Sequence, residues 1–552
     1  MWPDTATTGP LLRIAGGMVY DPANGVEGAV ADLWVAGGMV VGPPEAGAAA
    51  AATTLDATGL VVMPGGVDMH THVAGPKMTA GRLLRPEEAR RAAWGEMSTA
   101  PTVTETGRRY AAMGYTTVVE AATPPLFARG THLELNAIPY LDRAFLALMG
   151  NNALLLDALR RGEREELREI VAWILTASRG FGVKLANPGG VENWKWSAGG
   201  DVAGLDAEVN GYGVTPRAVI TALAEAVAEL GLPHRMHLHA NNLGTPLSYA
   251  TMAETIAALD GRPVHLAHLQ FSGYGPRGKA AFASRAPELA ELVNGRPNLT
   301  LDVGQVVFGE ATTMSADAPL QDRLHRLSGN RWANADVENE TGTGVLPYRF
   351  SAGVYANAVQ WATGLELFLL VRDPWRLALS TDHPNGGPFT AYPGIIRLLM
   401  EPQHRAEWLT RIHPRAARRS ALGDLDRAYT LSEIAIITRA APARILGLAV
   451  KGHLGVGADA DIAIYRPDAD HEAMFARPAY VLKGGVVVAR DGVIVAPPEA
   501  APGRTYYVQP PHDPAIRGPI KRFFERAYSV AVENYAVGAD EVANGKEVPC
   551  QP

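Results

Sequence analysis

In the stretch "VVMPGGVDMHTHVAGP" (residues 61–76) two histidines stand one residue apart, His70 and His72, straight after an apolar run and a Pro-Gly-Gly turn. Side chains alternate faces along a strand, so the pair points to one side, together with Asp68. Two imidazoles converging in this way suit one cation; two hydrogen-bonded core histidines account for the pair about as well. Three further apolar runs finish in the same residue types. "RMHLHANN" offers His237 and His239 on one face. "VHLAHLQFSG" offers His265 and His268, three apart and therefore expected on opposite faces. "LALSTDHP" closes on Asp382 and His383. Any one of these alone reads more readily as structural. Their recurrence at several strand ends favours a metal site, and imidazole with carboxylate suits zinc and other first-row divalent ions.

Lys184 stands inside the apolar text "GFGVKLANPGG". A lysine so placed must reach the rim, pair with an acid or lose its charge. A rim lysine meeting an acid is the plain account. The alternative is a neutral, desolvated amine that reacts with carbon dioxide, giving a carbamate able to bridge two ions.

The elements that must carry these residues alternate. The runs "GVDMHTHV", "TTVVEAA", "FLALMG", "GFGVKLAN", "HRMHLHAN", "PVHLAHLQ", "LTLDVGQV" and "RLALSTDHP" read as strands, with helical stretches such as "LLDALRRGEREELREIVAWILTA" and "PRAVITALAEAVAELG" between some of them. Alternation of this kind predicts an α/β fold, a (β/α)₈ TIM-like barrel, with a doubly wound open sheet as the runner-up. Gly- and Pro-cut apolar runs at both ends of the chain predict a small composite β-sandwich domain. The expected division is 1–63 plus 440–500 for that domain, 64–439 for the barrel, and 501–552 as a C-terminal extension packing on the barrel or a partner subunit.

At 552 residues, 47% hydrophobic and 19% charged, the chain has the makings of a large core. Its net charge of -7 argues against a nucleic-acid partner. A single cysteine, Cys550, excludes an internal disulfide, a Cys-built zinc site and an iron–sulfur cluster held by this chain. The start "MWPDTATTGP" has no signal-peptide pattern and no apolar window reaches membrane-spanning length, so a cytoplasmic protein without membrane attachment is expected.

The order H-x-H, lysine, two single histidines and aspartate on successive strands resembles the amidohydrolase superfamily. The motifs "VKLANPGG", "HANNLGTP" and "STDHPNGGPF" are similar to one branch of it, formed by the amidohydrolase-type subunits of formylmethanofuran dehydrogenases and of bacterial formyltransferase/hydrolase complexes. That resemblance implies two zinc ions: His70 and His72 on the first, His239 and His268 on the second, and N6-carboxylated Lys184 as the bridge. Asp382 would be a ligand of the first ion and the catalytic acid and base, and Asn187 a substrate contact. It further implies reversible hydrolysis of the formamide bond of a formylated methanofuran or methylofuran carrier, within a multi-subunit complex. On this resemblance His237 and His265 are the less favoured members of their strands, lying further from the strand ends. The glycine- and aromatic-rich exit "ANPGGVENWKWSAGGDVAGLDAEVNGYG" is expected over the barrel mouth, as a wall for a furan ring or a grip on another subunit. The charged text "RPEEARR" reads chiefly as a solvated helix face. A stand-alone cyclic-amide hydrolase of the hydantoinase or dihydroorotase kind, and an inactive scaffold protein within such a complex, are the alternatives.

Overall fold

The computed structural model describes residues 10–88, 98–196, 204–334 and 340–551, with the side chains of 194–196 excepted. All eight expected strands form, as β1 (Gly66–Thr71), β2 (Tyr115–Thr123), β3 (Asp142–Leu148), β4 (Gly182–Ala186), β5 (Met236–His239), β6 (Val264–Leu266), β7 (Leu299–Asp302) and β8 (Leu377–Ala378). Each pairs in parallel with the next. The ring closes just beyond β8, where Thr71 pairs with His383 and the His72 N–H donates to the His383 carbonyl at 2.7 Å. This is the (β/α)₈ barrel, so the open doubly wound sheet is set aside.

The strands are near-continuous apolar runs because one face meets the helices and the other fills the barrel. Val183, Leu185, Leu238, Leu266 and Leu301 lie in the main hydrophobic core. Lys184, His237, His265 and Thr300 occupy one register row across β4 to β7. The crossover after β3 is two helices, Ala153–Arg160 and Arg164–Ser178, rather than one continuous stretch. Gly162, at φ +75°, makes the break. Thr215 caps the helix Pro216–Glu229 by accepting the Ala218 N–H at 3.2 Å.

A second, nine-stranded mixed sheet draws strands from residues 12–64 and from 462–494. The two ends of the chain meet where Val61–Pro64 runs antiparallel to Ile462–Tyr465. Ile14, Val19, Val62, Ile462, Ile464 and Leu482 fill its separate core. Beyond it, Thr505–Tyr507 adds in parallel beside the start of β3, and Gly545–Glu547 pairs with that strand in turn. Among the described residues no helix is long and apolar enough to cross a membrane.

Candidate metal centre

Strand ends bring six of the singled-out side chains to the barrel mouth: His70 and His72 from β1, Lys184 from β4, His239 from β5, His268 from just past β6 and Asp382 from just past β8. All are buried. Oδ1 of Asp382 lies 3.2 Å from Nε2 of His70 and 3.3 Å from Nε2 of His72. Its Oδ2 lies 3.9 Å from Nε2 of His268. The His268 ring centroid is 4.7 Å from that of His239 and 5.0 Å from that of His70. Nε2 of His239 also faces Oδ1 of Asp317 at 3.6 Å.

The atoms these residues turn toward one another lack hydrogen bonds. Nε2 of His70, His72, His239 and His268, Nζ of Lys184 and Oδ1 of Asp382 are all buried without a partner. Each such atom costs about 1–3 kcal/mol, so their concentration at one point is stable only if something they bind repays it. Imidazole nitrogens with a carboxylate oxygen fit a first-row divalent ion. The ligand atoms of His70, His72 and Asp382 also lie within 4.8 Å of one another.

The electrostatics suit the same occupant. Burial takes the Lys184 amine down to about 7, despite the opposing pull of Asp382 and Asp302. Burial lowers His268 to about 3 and pushes His239 well below its ordinary value, so both stay neutral, as ligation requires. Burial alone would raise Asp382, but the imidazoles of His268, His70 and His72 outweigh it and hold the carboxyl well below its usual range.

A second layer lies beneath. Nδ1 of His70 is 2.8 Å from Oδ2 of Asp302 and 3.0 Å from Nε2 of His237. His237 meets Nε2 of His234 through its Nδ1 at 3.0 Å. His265 spans Thr300 and Asp302, 3.0 Å from each. His237 and His265 thus use both ring nitrogens inside the protein, whereas His239 and His268 keep Nε2 bare. Burial holds His234 at about 3 and His237 well below its ordinary value.

Several expectations are corrected by the backbone. The register of β1 against β2 slips between Asp68 and Thr71. That bulge puts Asp68 on the helix side, where it accepts hydrogen bonds from Tyr110 (2.7 Å) and Tyr392 (2.5 Å), so it does not join the histidines. His265 and His268 are not on opposite faces. β6 ends at Leu266, and His268 adopts φ +32°, which returns its ring to the interior. The described part of the "RPEEARR" segment is only half a solvated face: Pro86 and Glu87 are exposed, whereas Arg85 and Glu88 are buried. Arg85 pairs with Glu88 and donates to the Ala311 carbonyl at 2.7 Å; residues 89–91 lie outside the described residues. The exit from β4 contains a helix, Gly190–Trp196, and residues 197–203 lie outside the described residues. Asn187, just past β4 at φ +46°, accepts from Nδ2 of Asn241 at 2.8 Å through its side-chain oxygen.

Other residues of the site have no counterpart among the sequence-derived candidates. Glu120 on β2 accepts from Nδ1 of His72 at 3.0 Å and from the N–H groups of Val73 and Ala74. Asp302 ends β7. Both are acids inside apolar strand text, the same signal that singles out Lys184. Ser315 and Asp317 come from the long excursion between β7 and β8. The Ser315 hydroxyl donates to Oδ2 of Asp382 at 2.9 Å. Ser315 also lines a cavity of about 170 Å³, walled by Phe271, Phe282, Tyr348 and Phe350 and bordered by Asn385.

A parallel barrel with a buried His/Lys/Asp cluster at the C-terminal ends of its strands defines a class. The chain belongs to the amidohydrolase family, whose model matches residues 53–489. Family and ligand groups together support a metal-dependent hydrolase. Protein FwdA of Methanocaldococcus jannaschii is 44% identical over 565 residues, covering 97% of this chain and 98% of that protein. One subunit of the formyltransferase/hydrolase complex Fhc of Methylorubrum extorquens is 41% identical over 542 residues, covering 96% of each. The crystal structure of the FhcABCD complex from Methylorubrum extorquens, determined with methylofuran, contains a chain that matches at a TM-score of 0.91 and 40% identity, over 98% of this chain and 100% of that one. N-acyl-D-glutamate deacylase of Bordetella bronchiseptica, with a TM-score of 0.52 and 18% identity over 89% of this chain and 98% of that one, shares the fold.

Proposed function

We propose that this chain catalyses the reversible hydrolysis of a formamide bond on a furan-bearing amine carrier, methanofuran or methylofuran, releasing formate and the free amine. It would act as the hydrolase subunit of a multi-subunit formyltransferase/hydrolase or formylmethanofuran dehydrogenase complex. The observation that carries this reading is the set of six buried, unpartnered polar atoms at the barrel mouth. Its likeness along nearly the whole chain to one component of a complex determined with methylofuran supports the substrate.

Two zinc ions would be held here, one by His70, His72 and Asp382, the other by His239 and His268, with carboxylated Lys184 between them. Divalent ions so placed lower the pKa of water towards 7 and polarise a carbonyl oxygen. The chain's own residues do the rest. An amine near 7 is in good part neutral at physiological pH and open to carbon dioxide. Asp382, kept ionised by its imidazole neighbours, accepts the proton of the attacking water at Oδ2, beside Ser315, and returns it to the departing nitrogen. Burial of the whole cluster excludes bulk water and strengthens each of these charges.

The test is metal content with turnover of N-furfurylformamide, on the purified chain and on the chain with its partner subunits. About two zinc per chain with formate release is expected. Two zinc with hydrolysis of a dihydropyrimidine instead would turn the assignment toward a cyclic-amide hydrolase, and neither metal nor activity toward an inactive scaffold protein.

A further inference from the structure

One carboxylate lies beneath both halves of the cluster. Asp302 is fully buried at the end of β7. Its Oδ2 accepts from Nδ1 of His70 at 2.8 Å and from Nε2 of His265 at 3.0 Å. Its Oδ1 accepts the backbone N–H of His268 at 2.9 Å. His70 and His268 serve different ions in the reading above. One residue therefore orients a ring on one side and, on the other, fixes the left-handed backbone turn that aims a second ring.

A separate hydrogen-bond chain reaches His70 from below. The Ile445 carbonyl can only accept, so Nδ1 of His234, 3.0 Å away, is the donor. A neutral His234 then presents a bare Nε2, and Nδ1 of His237 must donate to it. Nε2 of His237 is left bare in turn and accepts from Nδ1 of His70. The proton of His70 thus sits on Nδ1, shared between Asp302 and His237, and Nε2 keeps its lone pair facing Asp382. The carboxylate and the histidine column impose the same tautomer independently.

We propose that Asp302 is a positioning residue common to both ion subsites, and that the His237–His234 column is a second anchor for the His70 tautomer alone. The inference rests on the metal-site reading. A partner behind a ligating imidazole is worth about 10–100-fold in metal affinity. Asp302→Asn keeps the shape, but its amide cannot accept at both positions at once.

The experiment is competition titration of metal-stripped full-length chain with zinc, together with the visible spectrum of the cobalt-loaded chain. Asp302→Asn is expected to weaken both binding steps by about 10–100-fold and to alter the cobalt bands of both sites. His237→Leu should weaken only the step at the His70 side, by about tenfold. His265→Gln, which touches Asp302 but no ligand, should stay within about threefold of wild type. Two ions bound by Asp302→Asn as tightly as by wild type would overturn the inference while leaving the metal site intact. A wild-type chain that binds no ion overturns the metal reading and the inference with it. If Asp302→Asn does not fold, equal affinities in His237→Leu and His265→Gln overturn the tautomer assignment.

Discussion

Lys184 shares a register row with His237 and His265, one layer below the imidazoles His239 and His268, and its long side chain carries a buried, unpartnered amine up to them. No carboxylate lies within ion-pair distance of that amine among the described residues, and burial dominates its lowered pKa. In the reading proposed above it becomes the bridge between ions. Lys184→Ala should therefore bind fewer than two zinc per chain and lose about 10²–10³ in rate, equivalent to several kcal/mol of charge stabilisation. A short carboxylic acid added to the assay should restore part of both, by filling the space with a carboxylate; metal analysis and formate release check this. Asp382→Asn should lower the rate by about 10²–10⁴ by removing the acid–base group. At this scale the sequence is informative where a residue type contradicts its surroundings. Lysine, histidine or aspartate in apolar strand text stands out, and Glu120 and Asp302 carry the same signal. Ser315 and Asp317 do not. They sit in an irregular polar segment where serine and aspartate are ordinary, and only the tertiary path of that segment brings them to Asp382 and His239.

Strand ends, rather than strands, aim the site. His268, Asp382 and Asn187 each follow a barrel strand and each has positive φ, at 32°, 49° and 46°. Backbone of this kind costs about 1–3 kcal/mol in a non-glycine residue and persists when its surroundings hold it. Gly304 is one of those surroundings. At φ +70° it passes so near His268 that an added Cβ would lie 2.5 Å from the His268 Cβ. Gly304→Ala should push the ring out of line, lowering zinc content several-fold and stability by about 1–3 kcal/mol, measurable by metal analysis and thermal melting. The eight strands are legible because each is an apolar run bounded by turn residues. Local backbone twists are not. The bulge that turns Asp68 toward Tyr110 and Tyr392, and the φ that turns His268 inward, both break the alternation on which facing arguments rest. The two-residue β8 is recognised by its "LALSTDHP" text more than by its length.

The two sheets are joined through a buried charge cluster at the barrel floor, opposite the mouth. Lys451 contacts Asp142 at the start of β3, and Asp461 and Asp459 at 2.5 and 2.8 Å. Lys483 adds contacts to Asp142 and Asp461 at 2.8 and 2.7 Å, and Arg504 one to Asp459 at 2.8 Å. Burial would raise the carboxyls of Asp142 and Asp461, but the two lysines outweigh it and hold both below the usual range. Carboxylates depressed in the folded state contribute stability that is fully present above their unfolded pKa, about 4, and is lost as pH falls below it. Melting temperature should therefore drop below about pH 4. Lys451→Met should cost about 3–5 kcal/mol at pH 7 by leaving buried acids short of a partner, and should make the acid-side drop shallower. The composite sheet is legible from matching strand-rich text at both ends of the chain, whereas this cluster joins residues more than three hundred positions apart with no local mark. The site at the opposite end of the barrel is the centre of the account, and crystallographic anomalous scattering at the zinc edge, from the zinc-loaded chain, tests it most directly. Two peaks flanking the Lys184 side chain are predicted, one beside His70, His72 and Asp382 and one beside His239 and His268. No peak among these residues, or zinc bound only elsewhere on the chain, would contradict it.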